Sequence, residues 1–260
     1  MPTQHAHILV TGAAGAIGGF VARELAIAHP DARLTLVDRD QVGLAALAGE
    51  LRDLGHDARA ATWDLSRPDD LAAAYADITR DLAVDALVNC AGIMELRSLA
   101  GMPWALGDRL LDIDLVSPLR LMTLAVPGMR ARKRGLVVNV ASLAGVLPIR
   151  GATFYGAAKA GLAAASEIAR IELAHHGVHV LTVYPGPVAS GLERHARAQV
   201  PGTWLTRVLP LGDAHELARA IVRAAATRAP RVVYPSVYQA ARALGVARMF
   251  TERFSPRPFE

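Results

Sequence analysis

Short apolar runs alternate with helical patterns along almost the whole chain, and this alternation restricts the fold more than any other feature of the sequence. The first run, 7–10, leads straight into a glycine-rich stretch at 11–18 and then into a helical pattern at 20–29. Strand, crossover helix and strand then repeat, and such units build a parallel sheet covered by helices. We therefore expect an α/β fold with three layers, a doubly wound parallel sheet of about seven strands with helices on both faces.

The predicted elements follow one another without an internal repeat, a low-complexity segment or a linker, so we expect one domain over residues 1–260. Helical patterns and a candidate cap at Ser66 predict helices at 42–54, from 66–70 onward, and at 106–130, 154–175 and 213–227. Pro118 and Pro127 are expected to disturb the long helix at 106–130. Six further apolar runs predict strands at 33–37, 58–63, 85–89, 136–140, 178–184 and 231–234.

The glycine-rich stretch has the local context of a phosphate-binding turn. Gly12, Gly15 and Gly18 lie between a predicted strand and a predicted helix. Glycine there lets the backbone approach a pyrophosphate, and the helix N-terminus attracts negative charge. Asp38 ends the second predicted strand, 20 residues beyond Gly18 (38 − 18 = 20), where a carboxylate suits a ribose hydroxyl. Together these features predict a nucleotide-binding first half.

Tyr155 and Lys159 are the candidates for proton transfer. They are four positions apart in a helical pattern, so their side chains share one face. A phenol and an ammonium favour each other's charged forms, so we expect the pairing to lower the pKa of Tyr155. A phenol adjusted in this way suits proton exchange with an alcohol or a carbonyl group. The spacing alone is weak evidence, because two common residues often occur four positions apart by chance.

The composition excludes several classes of function. Hydrophobic residues make up 52% of the chain and charged residues 20%, which is a globular composition. The net charge of +4 does not indicate nucleic-acid binding, and His5, His7, His195 and His215 show no metal-ligand spacing, so no metal is expected. A single cysteine, no apparent signal peptide and no apolar run long enough to span a bilayer lead us to expect a soluble, cytoplasmic protein.

With these residues in place, the chain resembles the compact, single-domain branch of the short-chain dehydrogenase/reductase family. The resemblance rests on the order and spacing of motifs over a core of about residues 6–235. It implies a single Rossmann domain with its own substrate pocket, and hydride transfer between a nicotinamide cofactor and a secondary alcohol or ketone. The matching motifs are Thr11–Gly18, Asp38, Asp64-Leu65, Asn89-Cys-Ala-Gly92, Ser142, the Tyr155/Lys159 pair and Pro185-Gly186.

The same resemblance assigns roles to individual residues. Tyr155 would be the acid/base, Lys159 would hold ribose hydroxyls and lower the pKa of Tyr155, and Ser142 would bind the substrate oxygen. Besides Tyr155 and Lys159, the cofactor-binding residues would be Gly12, Gly15, Ala16, Ile17, Gly18, Asp38, Arg39, Asp64, Leu65, Asn89, Ala91, Gly92, Pro185, Gly186 and Val188.

The glycine turn departs from the usual pattern of the compact branch. Ala16 stands at the central glycine position, and a glycine lies one residue earlier. The resulting spacing of Gly12, Gly15 and Gly18 resembles the extended branch of the family, which acts on nucleotide sugars. The length of the chain and its Asn-x-Ala-Gly motif favour the compact branch.

Two further positions differ from the family pattern. Asp114 stands where an asparagine usually supports a water relay to the lysine, and it adds a negative charge near Lys159. Ser190 replaces the threonine that usually follows the Pro-Gly turn, and little effect is expected because the hydroxyl is kept. The candidate catalytic set is therefore Ser142, Tyr155, Lys159 and Asp114.

Asp38 predicts NAD rather than NADP as the cofactor. A 2′-phosphate would face its carboxylate, and at about 4 Å that repulsion is worth on the order of 1–4 kcal/mol. Arg39 argues the other way, because an arginine can pair with such a phosphate. The turn itself offers only Ala13, Ala14 and Ala16, without a basic side chain.

The segments around the predicted site indicate a lipophilic small-molecule substrate and an oligomer. Residues 191–211 are the expected substrate lid, and their apolar side chains favour a lipophilic alcohol or ketone under a movable cover. The helix at 154–175 has many small residues that allow a second helix to approach, so we expect a homodimer or homotetramer, with Ser166 at the surface. The tail, 236–260, is expected to pack over the pocket or a neighbouring subunit, with contact to a membrane surface as the less favoured alternative.

Two other functions stay open at this point. An extended-branch enzyme acting on nucleotide sugars shares the Tyr/Lys pair, but it usually needs a larger C-terminal substrate domain. A non-catalytic NAD(H)-binding sensor or scaffold is the alternative from a different class. Retention of Ser142, Tyr155 and Lys159 speaks against it, and Asp114 is its only support.

Overall fold

One parallel sheet forms the centre of the protein. The computed structural model describes residues 6–201 and 210–239, and the sheet order in them is β3-β2-β1-β4-β5-β6-β7, with every pair parallel. This confirms the predicted seven-stranded sheet, and each strand bound lies within one residue of its prediction. The strands are β1 (His7–Thr11), β2 (Arg33–Asp38), β3 (Asp57–Thr62), β4 (Ala86–Asn89), β5 (Gly135–Val140), β6 (Val178–Pro185) and β7 (Arg231–Tyr234).

Helices cover both faces of the sheet, as predicted. In the described ranges they are α1 (Ala16–Ala28), α2 (Gln41–Asp53), α3 (Leu71–Ile78), α4 (Trp104–Leu111), α5 (Ser117–Ala131), α6 (Thr153–Leu173), α7 (Gly191–Ala198) and α8 (Ala214–Ala226). Buried side chains of α1, α2 and α8 pack on one face, and those of α3, α5 and α6 pack on the other. The result is the three-layer architecture of a Rossmann fold.

Successive residues of the central strands alternate between two hydrophobic clusters. In β1, Ile8 and Val10 pack with α1, α2 and α8, whereas Leu9 belongs to the cluster on the opposite face. All three are fully buried. Because the side chains of a strand point alternately to the two faces, a strand covered on both reads as an unbroken apolar run. This explains why these strands were visible in the sequence.

The strand order defines where a ligand can enter. The chain runs from β1 outward to β2 and β3, and it then crosses to β4 on the other side of β1. At such a reversal a crevice opens beyond the carboxyl ends of the strands. The turn after β1 and the loop after β4 therefore face each other across that crevice.

A wide turn interrupts the predicted helix at 106–130. Asp112–Val116 forms a π-helical turn between α4 and α5, and such turns often mark functional sites. Pro118 has no N–H to donate to the carbonyl of residue 114, four positions earlier, and the Ser117 N–H donates to the carbonyl five positions earlier. The expected disturbance near Pro118 is therefore confirmed, whereas Pro127 lies inside α5 without ending it.

Two helix starts differ from the predictions. α1 starts at Ala16 rather than Phe20, so Gly18 lies in its first turn. Ser66 does not cap a helix, because its N–H and its hydroxyl both donate to the Asp64 carboxylate. A short 3₁₀ turn then precedes α3.

Part of the predicted lid and most of the predicted tail, at 202–209 and 240–260, lie outside the described residues. In the described part of the lid, α7 is a helix that the sequence did not predict. No helix within 6–201 and 210–239 combines the length and the hydropathy needed to cross a membrane.

Candidate active site

The carboxyl ends of the strands open into one cleft with a volume of about 800 Å³. Of the predicted site residues, Asn89 and Asp114 lie outside its lining. The others line it together: Gly12, Gly15, Ala16, Ile17, Gly18, Asp38, Arg39, Asp64, Leu65, Ala91, Gly92, Ser142, Tyr155, Lys159, Pro185, Gly186 and Val188.

The turn after β1 is closed by contacts that leave little room for side chains. Gly12 has φ +69°, where glycine is favoured, and a Cβ there would lie 2.7 Å from the Ala91 backbone. A Cβ on Gly18 would lie 2.1 Å from the Gly12 carbonyl oxygen, whereas a Cβ on Gly15 would lie 3.1 Å from it. Ala16 lines the cleft as the first residue of α1, so alanine fits the central position of this turn.

The start of α1 suits the pyrophosphate of a dinucleotide. No side chain caps the helix at Gly15, and the first turn holds no acidic residue. The N–H groups and the positive end of the helix dipole therefore meet the cleft without a competing carboxylate. Within 6–201 and 210–239, no cluster of three or more His, Cys, Asp or Glu side chains is arranged to hold a metal ion.

Backbone N–H groups hold the Asp38 carboxylate at the end of β2. Its Oδ2 accepts from the Ala14 N–H at 3.1 Å. Its Oδ1 accepts from the Arg39 N–H at 2.8 Å and from the Asp40 N–H at 3.2 Å. The carboxylate is therefore fixed beside the glycine turn, at the position predicted for a ribose hydroxyl.

The cleft ends at a charged corner after β3. The Asp64 carboxylate accepts hydrogen bonds from Ser66, and these bonds, together with Arg109 and Arg39, hold the pKa of Asp64 below its ordinary value. Leu65 lies next to it in the lining. Sequence reasoning missed Arg109, since its position depends on how α4 packs against a distant loop.

Thr11 holds the loop after β4, a role that sequence reasoning did not assign. Its Oγ1 accepts from the N–H groups of Cys90 at 3.2 Å and Ala91 at 3.3 Å. The same hydroxyl donates to the Val88 carbonyl at 3.4 Å. One buried side chain at the end of β1 thus fixes the cleft wall formed by Ala91 and Gly92.

Asn89 does not face the cleft, contrary to the expectation from the resemblance. Its buried amide donates to Asn139 Oδ1 at 2.8 Å, and Asn139 donates to Ser166 Oγ at 2.8 Å. Ser166 donates in turn to the Leu162 carbonyl at 2.6 Å. Ser166 is fully buried, so its predicted surface position is wrong. A chain of polar side chains links β4, β5 and α6 beside the site.

Ser142, Tyr155 and Lys159 converge on one part of the cleft. Ser142 follows β5, and its hydroxyl makes a hydrogen bond with the Tyr155 hydroxyl and accepts from the Ala144 N–H at 3.1 Å. Lys159 lies one turn of α6 beyond Tyr155, with its Nζ 5.9 Å from the centre of the phenol ring. The Lys159 ammonium also donates to the Val140 carbonyl at 3.1 Å.

Asp114 lies behind Lys159 rather than in the cleft wall. Its Oδ1 is 3.0 Å from Lys159 Nζ, and its Oδ2 accepts from the Ile93 N–H at 3.2 Å. The side chain of Asp114 is 0% exposed and that of Lys159 is 5% exposed. A Cβ on Gly92 would lie 2.5 Å from Asp114 Oδ1, so the ion pair requires glycine at position 92.

Burial and Asp114 oppose the ionisation of Tyr155. Burial raises the pKa of Tyr155, Lys159 lowers it and Asp114 raises it, and the result lies above the ordinary value. Burial lowers the pKa of Lys159, but Asp114 and Tyr155 outweigh burial and raise it overall. The predicted lowering of the Tyr155 pKa is therefore wrong for this structure, because the phenol is buried and the Lys159 charge is already paired.

An apolar cluster forms the part of the cleft next to Tyr155, and α7 covers it. Polar contacts fasten α7 to the loop after β4: Gln199 Oε1 accepts from the Leu96 N–H at 2.7 Å, and His195 Nε2 lies 2.8 Å from Glu95 Oε1. The apolar cluster consists of Leu96, Ala152, Tyr155, Ala196 and Val200, with Met94 and Ala144 packed against it.

The residues after β6 form the opposite wall of the cleft. A Cβ on Gly186 would lie 2.9 Å from the ring of Tyr238, and the Tyr238 hydroxyl donates to the Pro210 carbonyl at 3.3 Å. The described start of the tail therefore packs beside this wall.

A family model for short chain dehydrogenases matches residues 6–201. Ketoacyl reductase HetN of Nostoc sp. is 30% identical over 229 residues, which cover 87% of this chain and 77% of HetN. A short-chain dehydrogenase from Sphingobium yanoikuyae, solved in complex with NADPH, has a TM-score of 0.81 at 27% identity, with 96% of each chain covered. The bulky-bulky ketone specific alcohol dehydrogenase from Comamonas testosteroni has a TM-score of 0.78 at 26% identity, covering 97% of this chain and 96% of that one.

The chain belongs to the short-chain dehydrogenase/reductase family. It is an oxidoreductase that acts on a CH–OH or C=O group with a nicotinamide cofactor, as the resemblance implied. These matches support neither a nucleotide-sugar enzyme nor a non-catalytic sensor.

Proposed function

We propose that the protein reduces a lipophilic ketone with NADH and that Tyr155 donates the proton. The observation that carries this proposal is the convergence of Ser142, Tyr155 and Lys159 between the glycine turn and the apolar cluster. A dinucleotide held at the turn and a ketone held by the cluster would meet at the Tyr155 hydroxyl. Oxidation of the corresponding alcohol would use the same residues in reverse.

Each of the three polar side chains has one task in this proposal. The Ser142 hydroxyl binds the carbonyl oxygen and stabilises the negative charge that develops on it. The Tyr155 O–H transfers its proton to the same oxygen, which becomes the alcohol hydroxyl. The Lys159 ammonium stabilises the phenolate left on Tyr155 until solvent returns the proton.

The cleft offers groups for the pyrophosphate and for both riboses of the cofactor. The N-terminus of α1 would hold the pyrophosphate, and Asp38 would accept hydrogen bonds from the adenosine ribose. Lys159 would donate to the ribose next to the nicotinamide. When bound, the nicotinamide supplies the hydride that forms the new C–H bond, while the C=O electron pair moves to oxygen.

The fixed carboxylate of Asp38 supports NADH over NADPH. Its hydrogen bonds from the Ala14 and Arg39 N–H groups prevent it from turning away from a 2′-phosphate. We expect kcat/KM with NADH to exceed that with NADPH by about one to three orders of magnitude. Asp38→Asn should bring the kcat/KM values for NADH and NADPH closer together, because the amide has the shape of the carboxylate but does not repel a 2′-phosphate. NADPH used as well as NADH by the unmodified protein would contradict this preference.

The apolar cluster supports a lipophilic substrate. Its side chains adjoin Tyr155, so a substrate placed there buries hydrocarbon next to the proton donor. The names of the Nostoc sp. and Comamonas testosteroni relatives refer to a ketoacyl group and to bulky ketones. We therefore propose the same broad class, a ketone with an extended apolar substituent.

NADH oxidation with a panel of ketones tests the proposal. The panel should contain 3-ketoacyl thioesters, aryl ketones and small hydrophilic ketones, and we expect kcat/KM to rise with the apolar substituent. Tyr155→Phe keeps the ring but removes the proton, so kcat should fall by about 10²–10⁴-fold while NADH still binds. Equal turnover by both proteins would reject Tyr155 as the proton donor, and activity confined to small hydrophilic ketones would reject the substrate class.

We also propose that α6 contributes to a homodimer or homotetramer. Ala164, Ile168 and Ile171 are exposed on one face of this helix, and the two isoleucines are 56% and 65% exposed. Burying that face would remove apolar surface from water. Light scattering at micromolar concentration should give a multimer, which Ile168→Arg weakens. A monomer would contradict the proposal.

A further inference from the structure

The Asp114 carboxylate faces two hydrogen-bond donors. Its Oδ1 lies 3.0 Å from the Lys159 ammonium, and its Oδ2 accepts from the Ile93 N–H at 3.2 Å. Asp114 is 0% exposed, so bulk water cannot replace either contact. The chemical character of residue 114 therefore decides whether both donors are satisfied.

An asparagine would fit this position less well than the aspartate. An amide has one acceptor oxygen and one NH₂ group, whereas a carboxylate accepts with both oxygens. With its oxygen towards Lys159, the amide would set its NH₂ against the Ile93 N–H. In the reverse orientation it would set the NH₂ against the ammonium. The carboxylate is thus matched to its surroundings and is more than a neutral replacement for an amide.

The backbone around Asp114 keeps the carboxylate in this place. Asp114 lies on the π-helical turn that precedes Pro118, and the turn carries its side chain behind Lys159. Gly92 leaves the space that the carboxylate occupies, since a Cβ there would lie 2.5 Å from Oδ1. Two local features of the chain therefore serve the same contact.

Two protein groups, the Val140 carbonyl and the Asp114 carboxylate, surround the Lys159 ammonium. An ammonium has three N–H donors. One donates to the Val140 carbonyl at 3.1 Å, and another faces Asp114. One N–H is left for the ribose and the Tyr155 side of the cleft. An ammonium that is paired with a carboxylate also exerts a weaker field on Tyr155 than an unpaired ammonium does.

The charges that act on Tyr155 come from three elements. Burial in α6 disfavours the phenolate, Lys159 on the same helix favours it, and Asp114 on the π turn and Glu193 on α7 disfavour it. The serine hydroxyl after β5 favours it through its hydrogen bond. Cys90 also faces Lys159, but burial raises the pKa of its thiol to about 12, so it stays neutral. Among these groups Lys159 supplies the only positive field on the phenol, and Asp114 opposes part of it.

We propose that Asp114 is a positioning residue that clamps Lys159 and keeps Tyr155 protonated, which adapts the site to carbonyl reduction. The inference rests on the proposed role of Tyr155 as proton donor. Each reduction transfers one proton from the phenol to the substrate oxygen, so the protonated phenol is the competent form. Alcohol oxidation needs the phenolate instead. The carboxylate therefore extends reduction to higher pH.

Asp114→Asn tests the clamp, because it removes the charge and keeps the shape. The first readout is the phenolate absorbance of Tyr155 in the protein without cofactor. Each protein is compared with its Tyr155→Phe counterpart, since the chain has five tyrosines. We expect Tyr155 to titrate about one pH unit lower in Asp114→Asn, the size of shift that a nearby charge commonly causes. Glu193→Gln is the matched control and should cause a smaller shift, because Glu193 is paired with Arg197 at 2.7 Å.

The second readout is the alkaline limb of kcat/KM for ketone reduction. It should move to lower pH in Asp114→Asn by the same amount as the phenolate titration. An unchanged or raised titration of Tyr155 would overturn the proposal. A lowered titration without turnover on any ketone would reject the proposed reaction and leave the clamp standing, because the first readout needs no substrate.

The unmodified protein provides a test that does not depend on folding of the variant. Circular dichroism establishes whether Asp114→Asn is folded. Where it is not, the phenolate titration of the unmodified protein decides: Tyr155 should titrate above the ordinary value of about 10. Burial and Asp114 both oppose ionisation of this phenol, so titration at or below about 10 would mean that the Lys159 charge outweighs both, and it would overturn the clamp.

Discussion

Asp114 and Lys159 should be strongly coupled in stability, and a double-mutant cycle of Lys159→Met, Asp114→Asn and the double variant measures this. For two unit charges at the observed 3.0 Å, Coulomb's law gives about 5.5 kcal/mol at an effective dielectric constant of about 20. Removing one partner of a buried pair leaves the other charge uncompensated, which costs about 3–5 kcal/mol. We expect that loss in each single variant and a loss in the double variant well below their sum.

The cycle separates the ion pair from the other contacts of the two side chains. Lys159→Met also removes the hydrogen bond to the Val140 carbonyl, and Asp114→Asn also changes the contact with the Ile93 N–H. Each of these losses occurs in one single variant and again in the double variant, so it cancels from the coupling energy. The coupling that remains should be about 3–5 kcal/mol.

The stability of Lys159→Met should depend on pH, because its Asp114 carboxyl group is buried without a positive partner. Burial raises the pKa of Asp114, and in Lys159→Met the ammonium no longer counteracts it, so the folded pKa lies above the unfolded value of about 3.9. Between these two values the folded protein holds a proton that the unfolded chain has released, and stability falls as pH rises. The free energy of unfolding of Lys159→Met should therefore fall further below that of the double variant as pH rises above about 4.

Urea denaturation of the four proteins at several pH values measures the coupling energy and its pH dependence, with tryptophan fluorescence or circular dichroism as the signal. Additive losses, with a coupling below about 0.5 kcal/mol, would refute the reasoning. The reasoning would also be refuted if the difference in unfolding free energy between Lys159→Met and the double variant became smaller as pH rises from about 4.

Two further predictions concern the glycine turn and the buried polar chain. Gly18→Ala should abolish NADH binding, because its Cβ would lie 2.1 Å from the Gly12 carbonyl oxygen. Gly15→Ala places its Cβ 3.1 Å from the same atom and should keep most of the affinity. Equal affinities of the two variants in a fluorescence titration would contradict this prediction. Ser166→Ala removes the hydroxyl that accepts from Asn139 and leaves only the weaker acceptor Met122 Sδ, so it should cost about 1–3 kcal/mol and lower Tm by a few degrees. Glu172→Ala on the exposed face of α6 should leave Tm unchanged.

The sheet and the nucleotide turn could be predicted because their signals are local. Gly12 and Gly18 satisfy contacts within the turn and with its immediate neighbour across the crevice, and Asp38 is held by N–H groups of the turn and of its own following residues. The central strands are buried on both faces, so their apolar runs were unbroken. Spacing along the chain carries such information, since few distant residues take part.

The directions of buried polar side chains could not be predicted, because they depend on distant segments. Asn89 has a motif position that resembles a cofactor-lining residue, yet its amide points to Asn139, 50 residues away. The position of α7 over the cleft could not be predicted for the same reason. Its helix formers and the Ser190 cap were a local signal that was overlooked, but its place over the cleft depends on contacts such as that between Gln199 and Leu96, 103 residues apart.

Asp114 could be predicted in part from its position in the sequence, and the rest depends on contacts with distant segments. Its sequence position indicated a negative charge near Lys159, which looked like a defect in a proton relay. The structure adds the Ile93 N–H as a second donor and the wide turn before Pro118 that aims the carboxylate at both. An asparagine at position 114 would leave that turn and that N–H unchanged, so its NH₂ group would face one of the two donors. The turn places the Asp114 carboxylate between the Lys159 ammonium and the Ile93 N–H, so Tyr155 receives the field of an ion pair rather than of a lone lysine.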